Sequence, residues 1–106
     1  MKFHVSFILL CLLASEMAHA GSCSDQQREK LQSKVVDACK TTSMRCLGTD
    51  NKATLNSKIS QFSACINARK TINDTCFDGG DPGHKQAIIE VTNGRSNCQT
   101  LLSKVK

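Results

Sequence analysis

The sequence predicts an all-α, disulfide-stapled three-helix bundle, and three observations lead there. Six cysteines, Cys23, Cys39, Cys46, Cys65, Cys76 and Cys98, follow an apolar leader. Only two aromatic residues, Phe62 and Phe77, follow it, with no Trp or Tyr anywhere, so bridges rather than aromatic packing must hold the domain. Apolar residues recur at steps of three and four along the chain, and no stretch sustains the period-two alternation of a strand.

The leader reads as a signal peptide over residues 1–20. Lys2 precedes an apolar run from Val5 to Ala14, and the small residues of Ala18-His19-Ala20 suit cleavage before Gly21. A run of about ten residues is half of what a membrane span needs, so no transmembrane segment is expected. Cys11 belongs to the leader and would leave with it, converting seven cysteines into an even six. Residues 21–106 then form a single disulfide-rich domain. A domain this small buries only about 60% of its unfolded surface, and each bridge typically adds about 2–4 kcal/mol.

The first helix is expected over residues 24–44. Ser24-Asp25-Gln26-Gln27 has the spacing of a capping box, and Leu31, Val35 and Cys39 continue at steps of four. Gly48 supplies a left-handed position after the end. The second helix is expected over 51–72 with Asp50 as its cap, since Leu55, Ile59, Phe62 and Ile66 share one face. Asn73-Asp74 and Asp78-Gly79-Gly80-Asp81 read as breakers, placing Cys76 and Phe77 in a loop. The third helix is expected over 82–104, because Asp81 caps well and Pro82 suits the first helical position. Ile88, Val91, Cys98 and Leu102 keep the rhythm across Asn93-Gly94, where a break is the rival expectation. The predicted core is Leu31, Val35, Leu55, Ile59, Phe62, Ile66, Ile88, Val91 and Leu102.

Six cysteines allow 15 connectivities. In an up-down-up arrangement, with a rise of about 1.5 Å per residue, Cys23 and Cys76 fall at the same end. Pairing Cys39 with Cys65 and Cys46 with Cys98 then leaves two axial offsets of roughly 9 Å, against one near 20 Å for the exchanged pairing. The first set is favoured, with the loops absorbing the remainder.

Composition excludes more than it assigns. The leader carries one base and one acid, so the rest of the chain keeps the net charge of +5. Its cations are scattered, with only Arg69-Lys70 adjacent, and no arm of the kind that binds nucleic acid is present. His84 is the one histidine after the leader and lies beside Asp78, Gly79, Gly80 and Asp81. That loop lacks the alternating acids of a calcium loop and the three or four ligands of a zinc site, so His84 is expected to be an exposed residue of a capped helix. Secreted phospholipases A2 follow adjacent cysteines with a His-Asp pair, whereas here Lys85 follows His84. Insect odorant-binding proteins space their cysteines differently from this chain, and its aliphatic residues leave little to line a pocket of about 300 Å³. Asn73-Asp74-Thr75 is an N-glycosylation sequon.

The expectation is a small secreted, extracellular, non-enzymatic monomer without cofactor or metal. It would act by surface recognition, as a toxin-like, salivary, defence or extracellular factor, on an extracellular protein or membrane surface. A carrier of small apolar ligands and a structural component of a secreted material are the alternatives.

Overall fold

A computed structural model describes residues 23–40 and 45–106; the expected leader, and the expected helical residues 41–44, lie outside these. The described chain is three helices: α1 (Asp25–Cys39), α2 (Lys52–Phe77) and α3 (Pro82–Lys104). Among the described residues there is no strand, and no helix is long and apolar enough to cross a membrane.

Local chemistry sets most ends. The Ser24 hydroxyl accepts the Gln27 N–H at 3.1 Å, and Asp81 accepts the His84 N–H at 2.9 Å behind Pro82 in the first turn. Cap selection at α2 departs from expectation. Asn51, not Asp50, caps the helix by accepting the Thr54 N–H at 2.8 Å. Asp50 instead folds back on the connecting segment, where its carboxylate accepts the Leu47 N–H at 2.8 Å and the Lys58 ammonium at 2.7 Å.

Two helix ends also differ from expectation. α1 stops at Cys39, short of residue 44. Gly48 does not terminate it but lies inside a turn closed by the Asp50 N–H on the Leu47 carbonyl, 3.0 Å. α2 runs five residues past Ile72 and carries Asn73, Cys76 and Phe77 within the helix. The weak intrinsic preference of Asn73-Asp74 is overridden because Ile72 and Cys76 are both buried against α1. The helix ends where Asp78 and Gly79 take positive φ, 52° and 76°, and the Gly79 N–H reaches back to the Asn73 carbonyl at 2.8 Å. α3 is continuous through Asn93-Gly94.

α2 is the central element, in contact with both other helices. Its N-terminal half packs Leu55 and Phe62 with Cys46 and Cys98, flanked by Ile59, Val91 and Leu102. Its C-terminal half packs Ile72 and Cys76 with Val35, flanked by Leu31 and Phe77. Of the expected core, Val35, Leu55, Phe62 and Ile66 are buried, while Leu31, Ile59, Ile88, Val91 and Leu102 are half-buried. Three disulfides tie the layers: Cys23–Cys76 and Cys39–Cys65 fasten α1 to α2, and Cys46–Cys98 fastens the connecting segment to α3. This is the set with the smaller axial mismatch.

Candidate functional site

Among the described residues, α1 covers only the C-terminal half of α2, and its packing ends at Cys39. The connecting segment from Arg45 to Asn51 is held by Lys58, which donates to the Arg45 carbonyl at 2.9 Å and to Asp50 at 2.7 Å. Their ion pair is largely shielded from solvent, at 12% and 13% side-chain exposure. The Lys58 hydrogen bond, followed by the Leu47 N–H, holds the Asp50 carboxyl below its ordinary value.

Where α1 ends, a cleft of about 560 Å³ opens between the connecting segment, α2 and α3. Phe62 and Val91 give it an apolar floor, Arg45 and Arg69 bring positive charge, and Asn93 and Asn97 present amides from successive turns of α3. A cleft of this size is present although aliphatic residues contribute only Val91 to its lining among the described residues. Its lining among the described residues mixes polar and apolar side chains.

Gly94 shapes this wall. An added β-carbon there would lie 2.7 Å from Cε1 of Phe62, so α3 approaches the ring at a distance only glycine permits. One step along, the Arg95 guanidinium donates to the Ser63 hydroxyl at 3.1 Å. Arg69 is placed by the periodicity of α2: it stands three residues beyond Ile66, on the same face as Phe62 and Ile66. Its Nε is buried and has no hydrogen-bond partner. A charged residue in an apolar slot was the signal available in the sequence, and reading Arg69 only as half of a surface dipeptide missed it.

A smaller cavity of about 210 Å³ lies at the other end, lined by Arg28, Glu29, Ile72, Phe77 and His84. His84 is half-buried rather than exposed. Its ring stacks obliquely on Phe77 with centroids 5.9 Å apart, and its Nδ1 is buried without a partner. Phe77 reaches it because α2 continues beyond Ile72.

The sequon asparagine is likewise inside the structure. Asn73 is 4% exposed, and its side-chain oxygen accepts the Asp81 N–H at 2.9 Å, fastening the α2–α3 turn. No group of three or more metal-ligating side chains comes together among the described residues.

Residues 19–101 match the family described as Novel toxin 16. No curated protein and no solved structure matches the chain.

Proposed function

The chain belongs to the Novel toxin 16 family, and on that premise we propose that it is a secreted, toxin-like factor that acts by binding an extracellular target through its surface. The observation that carries this reading is how the stapled scaffold uses its apolar residues. Leu55, Ile72 and Val35 are fully buried in two packed clusters under three bridges, leaving a stapled framework that presents a charged surface, an open cleft and a smaller cavity. Rigid scaffolds lose little conformational freedom on binding. Secretion is supported by the disulfide content and by a family match that begins at His19, after the apolar run.

Fluorescently labelled oxidised protein applied to intact cells tests the reading. Saturable binding that disappears when the cell surface is stripped with protease, and when the protein is reduced and alkylated, is the expected result. Absence of cell binding by the folded protein, together with an apolar small molecule carried through purification and seen by native mass spectrometry, would replace it with ligand carriage. The cleft, with Phe62 and Val91 in its floor, is the observation favouring that second reading.

A further inference from the structure

We propose that the cleft beside Gly94 receives an acidic side chain of the target protein together with an apolar neighbour of that residue. Arg45 and Arg69 take the carboxylate, and the Phe62–Val91 floor takes the apolar group. This deepens the surface-recognition reading and rests on it.

The chain has four arginines. Two are engaged within the described structure: Arg28 pairs with Asp25 at 2.7 Å, and Arg95 bonds Ser63. The other two, Arg45 and Arg69, both line the cleft, and neither guanidinium has an ion-pair or hydrogen-bond partner among the described residues. The buried, unsatisfied Nε of Arg69 is a donor without its acceptor, and such a group gains most from a charged one. Glu90 is the carboxylate in the lining; it accepts from Gln86 at 3.3 Å, one turn back along α3, so it is directed along its own helix.

Two further features narrow the occupant. Gly94 packs directly on the Phe62 ring, which is 5% exposed, so half-buried Val91 adds to the apolar lining beside the two cations. Arginine with a buried aromatic in a concave site is the composition of binding hot spots, and a cleft of about 560 Å³ accepts a side chain and its neighbour. Two guanidinium groups in a recess fit a single projecting carboxylate better than a flat anionic membrane, which would need cations spread over a plane.

Nuclear magnetic resonance titration of the oxidised, isotope-labelled protein tests the proposal with the blocked peptide acetyl-Leu-Glu-Phe-amide and its Leu-Gln-Phe counterpart. The Glu peptide is expected to shift the amide signals of Cys46, Val91, Gly94 and Asn97. The Gln peptide, Arg45→Gln and Arg69→Gln should each weaken binding by about tenfold, the loss of one charge-assisted hydrogen bond. Should Arg69→Gln fail to fold, the exposed Arg45→Gln decides alone. Equal binding of both peptides, or shifts confined to other surfaces, overturns the proposal. Decanoate displacing the peptide and binding more tightly overturns it in favour of a small carboxylate ligand, and phosphatidylserine vesicles giving the larger response overturn it in favour of a membrane. Folded Arg45→Gln that retains full cell-surface binding also overturns this inference while leaving the toxin-like reading standing; loss of cell binding by the wild-type protein fails that reading instead.

Discussion

At Gly94 an added β-carbon would stand 2.7 Å from the Phe62 ring, and Phe62 itself is 5% exposed. Phe62→Ala is therefore expected to cost about 3–5 kcal/mol, the range for emptying a buried aromatic site, as measured by urea unfolding. Gly94→Ala acts from the other side: the ring must give way, at about 1–3 kcal/mol for an overpacked contact, against a small gain in helix propensity. An unchanged midpoint in Gly94→Ala would show that α3 shifts freely over α2. Asn73 carries the third residue-scale expectation. Because its side-chain oxygen holds the Asp81 N–H and its surface is buried, intact mass measurement of protein secreted by a glycosylating host should show no glycan. A glycan at Asn73 would mean that modification precedes folding and that the end of α2 rearranges.

The elements differ from their sequence signals wherever a tertiary contact outweighs a local preference. α2 passes through Asn73-Asp74 because Cys76 must reach Cys23, with 4.8 Å between α-carbons, and because Ile72 fills the space against Val35. The connecting segment is ordered by charge rather than by a helix cap. Asp50 has a lowered pKa through Lys58 and the Leu47 N–H, so its contribution is present above the ordinary carboxylate value of about 3.9 and is lost as pH falls through the lower folded value. Acid titration followed by amide exchange should thus loosen residues 45–51 only as pH falls from the ordinary carboxylate value of about 3.9 through the lower folded value, while α2 and α3 remain protected. Lys58→Met should produce the same loosening at neutral pH. Uniform exchange along the chain in either experiment would show that the clasp has no separate role.

For the whole molecule the bridges dominate. Their sequence separations of 53, 26 and 52 residues correspond, on the chain-entropy account, to about 3.5–4 kcal/mol each, comparable to the entire stability of many small domains. Reduction is expected to abolish most of the helical circular dichroism signal near room temperature. A reduced protein that keeps its helicity and thermal midpoint would show that the two apolar clusters suffice without the bridges.

Periodicity and capping residues determined the three helices, the start of α1 at Ser24 and both ends of α3, because those signals are local: a side chain meets a backbone amide three residues away. Helical rise also ranked the cysteine pairings, since it fixes where each sulfur lies along its axis. Tertiary structure decided what depends on distant partners. The cleft is formed where the end of α1, the connecting segment, α2 and α3 come together. The continuation of α2 carries Phe77 to His84. Arg69 and Gly94 carry opposite local messages, a surface charge and a helix breaker, and both are reversed by the helix packed against them: one becomes a shielded cation at a cleft and the other a contact point between α2 and α3. Propensity is worth at most about 1 kcal/mol per residue, less than a bridge or a buried side chain contributes, and that inequality is why the packing prevailed at these positions.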